Sequence, residues 1–471
     1  MSKKNVPDYS QLFSPTDYRY AVDDLKPILS EEAYVKCKAR VEAALARQLA
    51  RVGICSDTIA KEIEKSCELV TAEEVYDEEG RIKHDIRALA NVIRNRVSDS
   101  AKPYVHLTAT SYDIVDTANA LRLKDAVKRV ILPDLVKLEY ALISIALKYH
   151  SSIQIGRTHG QHAEPITFGF FASYYVSRLG ERILKINEAA DALTGKFAGA
   201  VGVYGPLSLV LKDPEKFEKD LLSSIGLVPS EVSTQIVQPE PLTDLMHSLV
   251  SAFGVLANFS RDMRNLQRTE ISEISEEFSE SQVGSSTMPQ KRNPINFENI
   301  ESTWKKFMPQ MVTVYMDQIS EHQRDLTNSL SQRYLPELLV AFDSSVRRLT
   351  RTIWDAKKKK PRISIDPESM KRNFATSADS ISAEPLYILL ALAGHPDAHE
   401  SVRVIVQRAI AEKKSFREIV KADKELSQYL DKIPREKWKI LDSPTNYTGI
   451  ASPKSKKVAL SWKKKMSSLK L

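Results

Sequence analysis

The strongest constraint on this chain's fold is a set of long apolar stripes with helical spacing. Ile131, Leu135, Leu138, Leu142 and Ile145 step by 4, 3, 4 and 3 residues. Leu245, Leu249, Ala252, Leu256, Phe259, Met263 and Leu266 step in the same way. Phe297, Ile300, Trp304, Phe307, Met311 and Val314 carry a third stripe. Alternating steps of three and four return to one face of a helix and leave one apolar seam, as bundle packing requires. Three such helices in mid-chain predict an elongated bundle.

Composition agrees. Only 15 of the 471 residues are glycine, about half the usual frequency, so few turns can depend on it. The predicted class is all-α, in three helical domains. Residues 1–111 form an N-terminal helical domain, 112–364 the central long-helix bundle, and 365–471 a C-terminal helical domain with a basic tail. The charged, proline-containing stretch KKKKPRISIDP, residues 357 to 367, marks the second junction. Pro133 is expected to start or kink its helix. Strand signals are weak throughout.

The net charge is 68 − 61 = +7, and its location decides its meaning. Seven lysines and no acid lie between Lys454 and Lys470; without them the chain is neutral. The body is therefore not expected to bind nucleic acid, and the tail is expected to be a solvated terminus. Cys37, Cys55 and Cys67 are odd in number and match no metal or disulfide spacing, which predicts a reducing, cytoplasmic setting. The first residues lack the apolar core of a signal peptide, and no run of about eighteen apolar residues predicts a membrane span.

Four polar clusters interrupt the helical pattern. RIKHDIRAL holds Lys83, His84 and Asp85. HLTATSYDIVDTANAL, residues 106 to 121, is rich in hydroxyls ahead of a helix. GRTHGQHAEPITFG, residues 156 to 169, holds two histidines. GSSTMPQKRNPIN, residues 284 to 296, concentrates scarce glycine and proline with Ser285, Lys291 and Asn293. Each has a plain reading: a structural histidine, a helix cap at Thr110 and Ser111, an interhelical connection. His159 and His162 have i, i+3 spacing, but no second ligand pair accompanies them, so no metal is implied.

The last cluster resembles the signature of the fumarase/aspartase superfamily: Gly-Ser-Ser, two residues, Met, two residues, Lys, one residue, Asn-Pro. The second and third clusters are similar to that superfamily's other two blocks, in the expected order. Within it the chain most resembles the adenylosuccinate lyase family. SPTDYRYA carries an Arg-Tyr pair, Arg19 and Tyr20. KHD matches a further motif. HQRDLTNSLSQRYLPE places Arg324, Ser329 and Arg333 at that family's spacing. GHPDAHESVRVIVQRA and NYTGIA look similar as well.

The resemblance implies β-elimination of fumarate from adenylosuccinate, giving AMP, and from its succinyl-aminoimidazole carboxamide ribotide counterpart (SAICAR, giving AICAR). Such a reaction needs a base, an acid on the opposite face, and donors around the charge that builds on a carboxylate. By resemblance Ser285 is the base and His159 the acid. Lys291 and Asn293 hold the fumaryl carboxylates, and the loop closes over substrate. Thr110, Ser111 and Gln235 face the succinyl carboxylate. The Lys83–His84–Asp85 segment contacts substrate, and Arg19, Tyr20, Arg324, Ser329 and Arg333 grip the phosphate. No cofactor is implied. The family implies a homotetramer whose active sites combine residues of three subunits. Gln323, Asn328 and Asn299 depart from common family residues and bear on substrate choice. Argininosuccinate lyase, which needs no phosphate grip, is the alternative within the superfamily. A retired scaffold or a tail-driven nucleic-acid binder is the alternative outside it.

Overall fold

The computed structural model describes residue 10, residues 12–278, residue 284 and residues 286–469. Helices dominate, and the longest form the predicted rods. Ser111–Ala126 continues through a π-helical turn, Val127–Ile131, into Leu132–Lys148. The π turn accommodates Pro133. Proline lacks the N–H that would close the regular ladder, and here the Leu132 N–H reaches back to the Val127 carbonyl. Pro133 thus lies in the first turn of Leu132–Lys148, as expected, and the π turn joins that helix to the one before it.

Phe168–Asp191 and Glu240–Leu266 pack against each other, and Leu132–Lys148 packs on the first of them. Ser329–Ile353 lies against Leu132–Lys148 and against Ile295–Phe307. Every residue of the first two stripes is buried. Edge-to-face ring pairs lock the seam: Tyr175 with Phe259 at 5.0 Å and Phe253 with Phe342 at 5.4 Å between centroids. Each such pair adds about 0.5–1.5 kcal/mol beyond its buried area. Among the described residues, Glu240–Leu266 alone is long and apolar enough to cross a bilayer, and most of its apolar window is buried in the bundle.

The third stripe belongs to two helices, not one. Ile295–Phe307 ends at Met308, and Gln310–Met316 follows Pro309. Pro309 cannot continue the hydrogen-bond ladder. Two long helices escaped the stripe reading. One is Phe168–Asp191, whose N-terminus is capped by the Thr167 hydroxyl accepting the Phe170 N–H at 3.1 Å. The other is Ser329–Ile353, which carries Pro336 in its interior.

The N-terminal helices share their core with the bundle. Glu31–Arg51 packs on Asp57–Leu69 and on Ser111–Ala126, and one continuous apolar core runs from Val22 to Met466. A separate smaller core spans Leu386 to Leu441. The 354–365 region is tied back to the bundle, since Ser364–Ile365 pairs antiparallel with Ile274–Ser275.

The basic tail is not a loose terminus. Ala451–Ser468 is a helix seated on Leu132–Lys148 and Phe168–Asp191. Ala451, Ser455, Ala459, Trp462 and Met466 form its buried face, at steps of 4, 4, 3 and 4, and the lysines face outward. Trp462 lies against Gly180, where any Cβ would overlap the indole. The lysine run masked this face, because apolar residues are only every third or fourth position within it.

Candidate active site

The third cluster is a β-hairpin. Ile153–Thr158 pairs with Gln161–Thr167, with a bulge at Gly156, and the two-residue turn is His159–Gly160. Both turn residues have positive φ, +53° and +76°. That is the backbone a tight primed hairpin turn demands, and glycine supplies it cheaply at the second position. His159 thus stands exposed at the tip. The hairpin is anchored at its base. Glu273, fully buried, accepts from Arg157 at 2.7 Å, from Gln154 at 2.7 Å and from Asn373 at 2.9 Å. His162 Nδ1 lies 2.8 Å from the Ser377 hydroxyl.

The 284–293 loop lies at the same end of the bundle. Gly284 sits against the Lys291 carbonyl so closely that a Cβ could not fit. The Asn293 amide donates to the Gly284 carbonyl at 3.1 Å, closing the loop on itself. Beyond it, Glu276 accepts from the Asn296 and Phe297 N–H groups, both at 3.0 Å, and caps Ile295–Phe307. Lys291 is exposed and, with Asn293, lines an open 1260 Å³ cleft along with Arg264 and Arg268. Ser285 lies outside the described residues. Tyr20 belongs to this end too: its hydroxyl accepts from the Asn299 amide at 3.1 Å, and neighbouring Arg19 is exposed. Asn299, a departure from the family pattern, therefore holds a residue of that pattern.

The remaining candidates gather at the opposite end. Lys83 ends Ala72–Ile82 in a left-handed conformation, and His84 caps Asp85–Arg94, its Nδ1 accepting the Arg87 N–H at 3.3 Å. Lys83 and Asp85 line a 660 Å³ cleft with Ser329 and Arg333. Thr110 is the N-cap of the long helix begun by Ser111, and its N–H donates to Asp113 at 2.8 Å. Capping and substrate contact are compatible uses of the same turn. Arg324 lies 3.4 Å over the Tyr112 ring and donates to Gln235 at 3.2 Å. It does not pair with Asp325, which instead accepts from Thr327 and Glu321. The Nε and Nη2 of Arg324 are buried and have no hydrogen-bond partner among the described residues. Asn328 is buried and donates to the Asp317 carbonyl at 3.4 Å.

Two aspartates that sequence reasoning passed over fix this end. Asp113 forms a wholly buried ion pair with Lys196 and accepts from the Gly199 N–H at 3.3 Å. Asp116 accepts from the Val237 N–H at 2.9 Å, two residues beyond Gln235. Burial pushes Asp116 up to about 7, against the pull of that N–H and of Lys196. Their signal was present in TSYDIVDT: two acids three apart, inside a segment otherwise apolar enough to be buried. His106, at the head of the same cluster, is structural. It lies 2.6 Å from buried Glu42; burial lowers its pKa, and the Glu42 carboxylate more than reverses this. Tyr34, Lys38, Tyr112 and Arg122 also line the 660 Å³ cleft. Tyr34 and Lys38 come from Glu31–Arg51, which showed no cluster to read.

The two ends are far apart. Gln235 precedes Glu240–Leu266, and Gln267, which donates to the Arg292 carbonyl at 3.4 Å, follows it. At 1.5 Å per residue that helix is about 40 Å long. Ser111 and His159 are likewise separated by the continuous helix that ends at Lys148. One chain thus carries its candidate residues in two groups, each a candidate half-site: Arg19, Tyr20, His159, Lys291 and Asn293 at one end, and Lys83, His84, Asp85, Thr110, Ser111, Gln235, Arg324, Ser329 and Arg333 at the other.

Comparisons with known proteins agree on the family. A family model described as "Lyase" matches residues 17–308. The adenylosuccinate lyase of Pyrococcus horikoshii is 35% identical over 94% of this chain and 96% of its own length. That of Archaeoglobus fulgidus is 32% identical over 94% and 97%, and that of Bacillus subtilis 27% over 88% and 93%. Among solved structures, a 3-carboxy-cis,cis-muconate lactonizing enzyme from Pseudomonas putida superposes with a TM-score of 0.81 at 26% identity, over 96% of this chain and 99% of that one. A fumarate lyase from Mesorhizobium sp. BNC1 shares the fold, with a TM-score of 0.80 at 22% identity over 93% and 98%. With its helical bundle and its signature loop, and with similarity running along nearly its whole length, the chain belongs to the adenylosuccinate lyase family.

Proposed function

We propose that this enzyme, a C–N lyase, cleaves adenylosuccinate to AMP and fumarate by β-elimination, and SAICAR to AICAR by the same chemistry. The observation that carries the reading is the 35% identity to an adenylosuccinate lyase over 94% of the chain. In this reading Ser285 removes the proton from the carbon beside a carboxylate, and the electron pair forms the fumarate double bond as the C–N bond breaks. His159 delivers a proton to the departing nitrogen. Lys291 and Asn293 hold the carboxylate on which charge develops. Thr110, Ser111 and Gln235 orient the succinyl part, and His84 contacts the substrate near the phosphate or the second carboxylate. Arg324, Ser329 and Arg333 hold the phosphate, aided by Arg19 and Tyr20.

The two half-sites support assembly from several copies, since residues at opposite ends of a helix about 40 Å long cannot meet on one substrate. An exposed apolar face supports it too. Val312, Met316, Ile319, Leu326, Leu330 and Tyr334 are all exposed, and contiguous apolar surface of this kind marks protein interfaces. We take the assembly to be a homotetramer with shared active sites, in the cytoplasm. Incubation with adenylosuccinate, and with argininosuccinate in parallel, tests the reaction. Equal amounts of fumarate and AMP, reduced at least about a hundredfold in Ser285→Ala, are expected. Fumarate from argininosuccinate alone would overturn the nucleotide assignment.

A further inference from the structure

The 660 Å³ cleft has a cationic floor that no role above uses. Tyr34 lies there with a cation on each of two contacts: the Lys38 ammonium is 4.0 Å and the Arg122 guanidinium carbon 3.9 Å from its ring centroid. Lys38 is 7% exposed and Arg122 6%, so both charges are more than nine-tenths buried. Neither has a close ion pair among the described residues. Lys38 has one ion pair, to Asp85 at a long 3.8 Å. Arg122 donates through Nε to the Asn119 amide oxygen at 3.1 Å, and among the described residues it has no ion-pair partner. A buried charge without a partner costs several kcal/mol and is normally paired. Here both cations line a cleft of ligand size.

The cleft wall favours one kind of anion. Ser329 and Arg333 line the cleft and belong to the first turns of Ser329–Ile353, a helix of 25 residues. A helix N-terminus carries a partial positive charge and free N–H groups suited to phosphate oxygens. The Arg122 fork matches phosphate geometry, and stacking on Tyr34 fixes its plane before a ligand arrives. Glu31, Glu79 and Asp85 also line the cleft. Glu31 accepts from the Tyr76 hydroxyl and Asp85 from the Ile86 N–H, and Glu31 and Glu79 act on Lys38 from beyond ion-pair distance, offsetting part of the cationic charge.

We propose that Lys38 and Arg122, set around Tyr34, form an anion subsite that receives the phosphoryl group of the nucleotide, opposite Ser329 and Arg333. The proposal deepens the adenylosuccinate reading and rests on it for the identity of the ligand, but not for the existence of the subsite. Burial lowers the proton affinity of both cations from their ordinary values, which is the state a bound dianion would relieve. The subsite would give the enzyme its preference for a phosphorylated substrate. A fumarate carboxylate belongs elsewhere.

The test is calorimetric titration of the wild-type oligomer, R122Q, R122K and K38M with inorganic phosphate, AMP and fumarate, with circular dichroism to verify folding. A charged hydrogen bond of about 1.5–3 kcal/mol corresponds to roughly 10- to 100-fold in affinity. R122Q and K38M should therefore bind AMP and phosphate about tenfold or more weakly and bind fumarate as wild type does. R122K, which keeps charge but loses the fork, should fall between. If R122Q does not fold, R122K and K38M carry the same comparison. Phosphate binding that depends on Arg122, in a protein that neither binds AMP nor turns over adenylosuccinate, would sink the substrate reading and leave the subsite standing. Equal phosphate affinity in wild type and variants, equal losses for AMP and fumarate, or no phosphate binding by the wild type would each overturn the proposal.

Discussion

Asp113→Asn should destabilise the protein far more than a typical polar substitution. The Lys196 ammonium is fully buried and bonded to Asp113 and to the Gly199 carbonyl, the latter at 3.1 Å. Asparagine keeps the side chain's shape and an acceptor for the Thr110 N–H, but removes the negative charge. Lys196 then stays buried without its ion-pair partner, and only Asp116 and Glu218, which it does not contact as an ion pair, still act on it. Breaking one side of such a pair costs about 3–5 kcal/mol, a large share of a typical 5–15 kcal/mol total. Lys196→Met in the same background removes the stranded charge, so the double variant should recover much of the loss. The cycle should show a coupling above about 2 kcal/mol. Urea unfolding at fixed protein concentration, in low and in 1 M salt, measures this. The coupling should survive salt, because a pair without solvent contact is little screened. A loss below about 1 kcal/mol in Asp113→Asn, additivity in the double variant, or a coupling abolished by salt would each refute the argument.

Two further outcomes follow from the same structure. Asp116 is raised to about 7 by burial, so its contribution to stability is complete below its unfolded pKa near 4 and is lost as pH rises through 7. Asp116→Asn lacks that loss, and its stability relative to wild type should improve by about 2–3 kcal/mol between pH 5 and pH 8; a pH-independent difference in denaturation midpoints would contradict the assignment. Trp462→Ala should cost about 3–5 kcal/mol and loosen the C-terminal helix, read as faster hydrogen exchange over 451–468. Unchanged exchange there would mean that the helix is not held by the Gly180 contact.

Much of the bundle was legible because long helices repeat one physical signal. Leu245 to Leu266 announce a rod every third or fourth residue, and that rod is where it should be. The signal failed where a single residue outweighed it. Pro309 divides the third stripe without disturbing its spacing, and the π turn ahead of Pro133, which joins two helices into one rod, leaves no mark on the apolar spacing. The hairpin was hidden because His159–Gly160 supplies its turn chemistry within a stretch whose strands barely alternate. The site was legible as separate clusters, each a burst of polar residues among apolar ones. Which clusters share an end of the molecule was not legible, since that depends on helix lengths and on how the rods run. Lys38 and Arg122 could not be picked out, because each is one of several charges along its helix and gains meaning only across the Tyr34 ring.

The central claim is that a working site joins half-sites from different copies, and hybrid assembly tests it most directly. His159→Ala disables one end and Arg333→Ala the other, and each variant alone should turn over adenylosuccinate poorly. Co-assembled in equal amounts, a symmetric oligomer pairing ends at random has both ends intact in roughly a quarter of its sites. Fumarate release recovering toward that fraction of the wild-type rate is the predicted result. Hybrids no more active than the two variants assayed separately would place the whole site on one chain and contradict the account.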